Sequence, residues 1–204
     1  FGAGQLVEWW TSLVKAAQRE RAKPARKGLL DEPCQELQRN LGRMRRPVHL
    51  AQTAWALAKL GVRSRPATTA LWNGLADGSV SLLREFKAQN ISITAWAFAT
   101  AGHASPALFD AVADEATARG LREFKAQAIS ITAWAFATAG HTSPALFDAV
   151  ADEATARGLR EFNAQNIANT AWAFATAGHA SPALFDAVAD EATARGLREF
   201  KAQA

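Results

Sequence analysis

Apolar residues recur at helical spacing along most of the chain, in two kinds of segment that alternate. On a helical wheel, each kind forms one apolar stripe beside a polar side. The first stripe consists of Ile91, Ala95, Phe98 and Ala99, and the second of Leu108, Phe109, Val112 and Ala116. We predict two amphipathic helices, helix A over about residues 88–101 and helix B over about residues 106–119, whose stripes pack together.

The residues between the two stripes predict how the helices are joined. Gly102 suits the left-handed position that often follows a helix, and Ser105 and Pro106 suit the N-cap and first turn of the next one. Only His103, Ala104 and Ser105 separate helix B from that glycine. A connection this short requires an antiparallel helix hairpin.

The hairpin is copied along the chain with a period of about 38 residues, marked by Phe86, Phe124, Phe162 and Phe200. The repeats are 86–123, 124–161 and 162–199; 200–204 starts a truncated repeat, 48–85 is a diverged repeat, and 1–47 is a basic helical N-terminal segment or a degenerate repeat. Since one hairpin cannot bury its own apolar surface, we predict an all-α fold, a right-handed α-solenoid of stacked antiparallel helix pairs. Because the sequence stops within a fresh repeat, we expect a fragment or a processed chain, with any targeting peptide or further repeats outside residues 1–204.

A tryptophan occupies the same place in every helix A, to the side of the apolar stripe. We interpret Trp96 as a wedge between adjacent repeats in preference to a base-stacking group. The interval from Trp55 to Trp96 is three residues longer than the interval from Trp96 to Trp134. We attribute the longer interval to an insertion in the loop and helix B of the diverged repeat.

The three complete copies differ at five positions, four of which precede or begin helix A. These positions are Lys87/Lys125/Asn163, Asn90/Ala128/Asn166, Ser92/Ser130/Ala168, Ile93/Ile131/Asn169 and Ala104/Thr142/Ala180. On the wheel, positions 90 and 93 lie with Ala97 on the side away from the apolar stripe, which we expect to be exposed.

Equivalent positions in successive repeats form a ladder along this side of helix A. The ladder consists of His49, Gln52, Asn90, Ile93, Ala128, Ile131, Asn166 and Asn169. One or two variable side chains per repeat are what a one-base-per-repeat reader of single-stranded RNA requires, since amides bond base edges and aliphatic groups pack on base faces. Drift at solvent-exposed positions after duplication explains the same differences, and the sequence does not separate the two interpretations.

The net charge of +4 is unevenly distributed. Residues 1–85 carry 14 Lys and Arg against 7 Asp and Glu (+7), and residues 86–204 carry 9 against 12 (−3). We predict phosphate contacts, which RNA binding requires, from Lys87, Lys125, Lys201, Arg39, Arg43, Arg45 and Arg46. The four arginines, with Lys23, Arg26 and Lys27 behind them, are the better phosphate-docking surface, and a solvated linker explains the same residues nearly as well. We assign Arg119 and Arg122 to the C-terminal dipole of helix B.

Few residues suggest catalysis, and we expect no enzymatic activity, no cofactor and no metal. Cys34 is the only cysteine and is expected to fill space in the core. His103, His141 and His179 occur once per repeat, about 10 Å apart by helix packing, which is too far for a shared metal ion. No apolar run approaches the ~20 residues of a transmembrane helix, so we expect no transmembrane segment.

Two stretches resemble the octotricopeptide repeat family, whose repeat has the same period: "HLAQTAWALAKLGVRSRP" from His49 and "NAQNIANTAWAFATAGHASP" from Asn163. The family's first helix has the pattern L-x-x-Q-x-L-A-N-T-x-W-A-x-A-x-x-G. The third repeat is the closest match, through Gln165, Ala168, Asn169, Thr170, Trp172, Ala173, Ala175 and Gly178. The resemblance covers about residues 48–204.

The resemblance implies an organellar protein, in the chloroplast in preference to the mitochondrion. It implies sequence-selective binding of single-stranded RNA in support of transcript stabilisation, processing or translation. The alternative it leaves open is a structural scaffold, held by protein contacts among the subunits of a large organellar complex such as a ribosome or a photosynthetic membrane assembly.

Overall fold

The computed structural model describes residues 2–19 and 29–196, and within these ranges the chain is helical and contains no strand. The α-helices are α1 (Ala3–Arg19), α2 (Asp31–Asn40), α3 (Pro47–Lys59), α4 (Thr69–Leu82), α5 (Ala88–Ala101), α6 (Pro106–Arg119), α7 (Ala126–Ala139), α8 (Pro144–Ala156), α9 (Ala164–Ala177) and α10 (Pro182–Arg195). The bounds predicted for helices A and B are confirmed in α5 and α6. The predicted C-cap is confirmed as well, because Gly102 has a φ of 67°, where a side chain would be strained.

The helices pack in two rows. One row contains α1, α3, α5, α7 and α9, each in contact with the next, and the other contains α2, α4, α6, α8 and α10. Each helix of the first row from α3 onward also contacts the helix that follows it in sequence. The predicted apolar stripes meet between the rows, where Ile91, Phe98, Leu108 and Val112 are fully buried.

An aromatic contact recurs where one helix pair meets the next. Phe109 of α6 packs edge to face on Phe136 of α7, with ring centroids 5.0 Å apart, and Phe147 packs on Phe174 in the same way at 5.0 Å. Trp72 takes the place of that phenylalanine in α4 and contacts Phe98 at 5.0 Å. Phe109 is thus buried by the following repeat, and each copy covers the apolar surface of the one before it.

An arginine at the end of helix B ties successive repeats together. Arg119 donates hydrogen bonds to the carbonyl oxygens of Phe86 (2.6 Å) and Arg84 (2.6 Å), at the junction that precedes α5. Arg157 and Arg195 make the same contacts one and two repeats further on. Arg119 lies in the last turn of α6, as the assignment to the helix dipole requires, and its guanidinium also reaches back to carbonyl groups left open by the short 3₁₀ turn Leu83–Glu85.

The N-terminal helices extend both rows, since α1 contacts α3 and α2 contacts α4. Cys34 is buried in α2, as expected for a residue that fills space, and burial raises the pKa of its thiol to about 11. The basic residues Lys23, Arg26 and Lys27 lie outside the described residues, as does Lys201.

The longer interval between Trp55 and Trp96 arises in a loop. The connection between α3 and α4 covers residues 60–68, whereas residues 102–105 join α5 and α6. Both α4 and α6 have 14 residues. The predicted loop insertion is confirmed, and the predicted insertion in helix B is wrong.

Candidate nucleic-acid interface

Each helix of the first row keeps one stripe open on the side away from the second row. In α5 this stripe is Gln89, Ile93, Trp96 and Thr100, which are exposed or partly exposed. The same stripe recurs as Val48, Gln52, Trp55 and Lys59 in α3, as Gln127, Ile131, Trp134 and Thr138 in α7, and as Gln165, Asn169, Trp172 and Thr176 in α9. The row therefore carries a repeated surface of polar, variable and aromatic side chains.

A groove of about 750 Å³ crosses this surface from α3 to α7. Its lining includes stripe residues from three helices: Trp55, Lys59, Gln89, Ile93, Trp96, Gln127 and Ile131. The edge of the groove at the start of α5 and α7 is formed by Arg84, Glu85, Lys87, Glu123 and Lys125. The groove has the dimensions of a ligand site and runs across successive repeats, as an extended strand would.

The groove carries an excess of positive charge. Its cations other than Arg119 are Lys59, Arg84, Lys87 and Lys125, and its anions are Glu85 and Glu123, so four positive charges face two negative ones. Arg119 also borders the groove, but it is paired with Glu115. The groove is therefore locally positive, with two of its cations, Lys59 and Arg84, from the basic part of the chain and two, Lys87 and Lys125, from the repeats whose overall charge is negative.

The lysines predicted to contact phosphate stand at the helix N-termini that border the groove. Lys87 and Lys125 are exposed N-cap residues of α5 and α7, and neither side chain caps its helix. Arg46 is the N-cap residue of α3. These three cations occupy equivalent places in adjacent helices, so the predicted residues lie in register along one edge of the row.

The other predicted phosphate contacts lie apart from the groove lining. Arg39 is exposed at the end of α2, in the second row, and forms an ion pair with Glu36 at 2.5 Å. Arg43 and Arg45 are exposed between α2 and α3. These arginines border the N-terminal helices, while the groove is lined from Trp55 onward.

The predicted ladder divides into two sets of residues. Gln52, Ile93, Ile131 and Asn169 all lie on the open stripe, and three of them are only partly exposed. His49 and Asn90 are half-buried, and the equivalent residues Ala128 and Asn166 are 7% and 5% exposed. The expectation that this position is exposed is therefore wrong for Ala128 and Asn166, and it is also wrong for Ala97, which is fully buried.

The buried amide of Asn166 has a structural role. It completes a capping box with Asn163, in which each side chain accepts a hydrogen bond from the other residue's backbone N–H, at 2.8 Å and 3.3 Å. Its Nδ2 atom also donates to Ser130 Oγ of α7 at 3.1 Å. Two differences between the copies thus concern how α9 begins and how it packs on α7.

Three of the four tryptophans of the open stripe have one part packed against the core and another part exposed. Trp55, Trp96 and Trp134 are partly exposed and pack against the core, and Trp172 is 46% exposed. Lys59 of α3 places its Nζ atom 4.9 Å from the ring centroid of Trp96, in cation–π range. Trp55 and Trp96 line the groove, a role that the sequence interpretation as a wedge did not include, although their position three residues after the variable residue places both on one helical face.

The histidines contact the preceding helix pair. His141 and His179 hydrogen-bond through Nε2 to Asp110 and Asp148, each at 2.9 Å. His103 is more deeply buried and bonds through Nδ1 to Ser64 Oγ at 2.7 Å. Within residues 2–19 and 29–196, no three His, Cys, Asp or Glu side chains come together as a possible metal site.

None of the helices in the described part of the chain is both long enough and apolar enough to cross a membrane. No protein-family model matches the chain, and no curated protein matches it either.

Proposed function

We propose that this chain is part of a right-handed α-solenoid of the octotricopeptide repeat type, and that it binds single-stranded organellar RNA along the first helical row. The resemblance to the octotricopeptide repeat family makes chloroplast RNA the preferred target. The observation that carries the proposal is the groove lined by Trp55, Trp96, Lys87 and Lys125, because it joins cations to exposed indoles across successive repeats.

The chemistry of the groove suits a single strand. Lys87 and Lys125 stand one repeat apart at the edge, where they would neutralise phosphates of a strand running along the row. The open stripe beside them offers the amides of Gln89 and Gln127 to base edges and the side chains of Ile93 and Ile131 to base faces. A strand held in this way is extended, shielded from nucleases and presented in a fixed order to processing or translation factors.

Salt titration of RNA binding tests the proposal. The change is Lys87→Ala with Lys125→Ala, and the measurement is the slope of log affinity against log salt for a short single-stranded RNA. Each lost phosphate contact lowers that slope by about 0.7, so we expect a decrease of about 1.4. Arg122→Ala with Arg160→Ala removes the same charge from two exposed residues, also one repeat apart, that do not line the groove, and should leave the slope unchanged.

Two results would contradict the proposal. One is that the unaltered chain binds no single-stranded RNA at about 0.1 M salt, where counterion screening resembles that in a cell. The other is that both double variants lower the slope equally, because the charge would then act without regard to position.

A structural scaffold is the second candidate function, and one observation favours it. Residues 86–204 carry 12 Asp and Glu against 9 Lys and Arg, and a protein partner, unlike RNA, requires no phosphate neutralisation. The scaffold function predicts that the lysine double variant is incorporated into a large complex as the unaltered chain is, as measured by its sedimentation in an organelle extract.

A further inference from the structure

Four tryptophans lie on the open surface of the first row, one each in α3, α5, α7 and α9. Trp55, Trp96, Trp134 and Trp172 occupy equivalent positions, and each lies one helical turn beyond the variable residue of its stripe. Trp55 and Trp96 line the same groove. The repeat therefore places one indole beside one variable side chain at every step along the row.

The rings of Trp134 and Trp172 lie against each other on this surface. The centroids of Trp134 and Trp172 are 6.2 Å apart and their planes are inclined by 30°, within the range of an aromatic pair. The face of Trp96 borders the groove and carries the ammonium group of Lys59 from the neighbouring helix, which a stacking base would displace. A purely structural wedge would be enclosed by the core, whereas these rings use one part for packing and leave another part open.

We propose that Trp55, Trp96, Trp134 and Trp172 form a row of base-stacking subsites for single-stranded RNA, a proposal that rests on the RNA-binding function proposed above. Every nucleobase has a flat π-face, so an exposed indole binds any base, and each stacked base strengthens binding without specifying sequence. The variable residue one turn away is then positioned against the edge of the stacked base. Charge complementarity favours RNA over a peptide here, since Lys59, Lys87 and Lys125 accompany the rings.

The binding of two oligonucleotides tests this assignment. The first is an oligouridylate of about ten nucleotides, long enough for one base per repeat, and the second is an abasic ribose-phosphate chain of the same length. Trp172→Ala should weaken oligouridylate binding by roughly 5- to 100-fold and leave the abasic chain unaffected, because only the former can stack. Trp172→Phe retains an aromatic face and should retain most of the affinity.

The matched control is Phe185→Ala. Phe185 lies on the same terminal helix pair and is 38% exposed, against 46% for Trp172, but it belongs to the second row. This variant should bind both oligonucleotides as the unaltered chain does. Circular dichroism and urea unfolding of both alanine variants establish that each one is folded.

The outcomes separate this inference from the function on which it rests. If the chain binds RNA but Trp172→Ala weakens neither oligonucleotide, or weakens both equally, the stacking subsites are rejected and RNA binding stands. If the unaltered chain binds neither oligonucleotide, both proposals fail. Displacement of oligouridylate by an acidic peptide, with equal sensitivity to Trp172→Ala, would assign the indoles to a protein partner instead.

Discussion

Arg157, the C-cap residue of α8, donates a hydrogen bond from Nη1 to the carbonyl oxygen of Phe124, 33 residues earlier, at 2.9 Å. Its Nη2 atom bonds the carbonyl oxygens of Leu121 and Arg122, each at 3.1 Å, and its Nε atom bonds Glu153 at 2.7 Å. Glu153 lies one turn earlier, in α8, and holds the guanidinium in place. One arginine thus satisfies three carbonyl groups at the junction where one repeat ends and the next begins.

We expect Arg157→Ala to lower the free energy of unfolding by about 2–3 kcal/mol, because it leaves several carbonyl groups and Glu153 without a charged donor. Only 15% of the Arg157 side chain is exposed, so water replaces few of these bonds. Urea denaturation gives the change. Arg160→Ala, at an exposed position three residues on, is the control and should fall within about 0.5 kcal/mol of the unaltered chain. Equal destabilisation by both variants would show that the contacts of Arg157 contribute no specific stability.

The contrast between Asn166 and Ala128 gives a prediction of increased stability. Lys125→Asn with Ala128→Asn copies the capping box of α9 into α7 and places an amide near Ser92, the equivalent of Ser130. We expect the double variant to be more stable by about 1 kcal/mol, the usual contribution of an N-cap. Ala128→Asn alone buries an amide without the reciprocal cap and should be less stable than the double variant, as measured by thermal unfolding. A double variant no more stable than the single one would refute the reciprocal cap.

Asn166 and Ala128 also show which features of the fold the sequence predicts and which it does not. Helix bounds were predictable because Gly102, Ser105 and Pro106 punctuate every copy, and burial of the Ile91 and Phe98 stripe followed from its spacing. Asn166 was placed on the exposed side because a wheel identifies only the face that meets helix B. The two flanks of each first-row helix are covered by neighbouring helices of the same row. The angle at which these neighbours meet the helix is set by packing between repeats. The open stripe is therefore narrower than predicted and is centred on Ile93 and Trp96.

His103 predicts a loss of stability at mildly acidic pH. Its ring lies between Trp72 and Phe98, at centroid distances of 6.2 Å and 5.6 Å, and burial lowers its pKa from the ordinary value of 6.5. The unfolded chain therefore binds a proton at a higher pH than the folded chain does. Stability is complete above pH 6.5 and falls as the pH drops from 6.5 toward the lowered pKa, where the loss levels off.

Urea unfolding between about pH 5 and 7 measures this dependence, and NMR titration of the histidine ring protons gives the pKa directly. His103→Gln should reduce the acid-dependent loss but not abolish it, since burial and Arg46 also lower the pKa of His49. A ring that titrates at or above 6.5 in the folded chain, or an unchanged pH dependence in the variant, would contradict the prediction.

The last prediction concerns base choice along the open stripe. Ile93 and Ile131 present an aliphatic side chain where Asn169 presents an amide, whose Oδ1 accepts a hydrogen bond from Gln165 at 2.7 Å. If this position faces a base edge, Ile131→Asn replaces an apolar contact with hydrogen-bonding groups and should change the preferred nucleotide at one place in the bound sequence. Selection from a randomised RNA pool measures that preference. Asn90→Ala, on the half-buried flank of α5, should leave the selected sequence unchanged. An unchanged sequence with Ile131→Asn, in a chain that still binds RNA, would mean that the differences at this position are drift and that binding depends on phosphates and stacking alone.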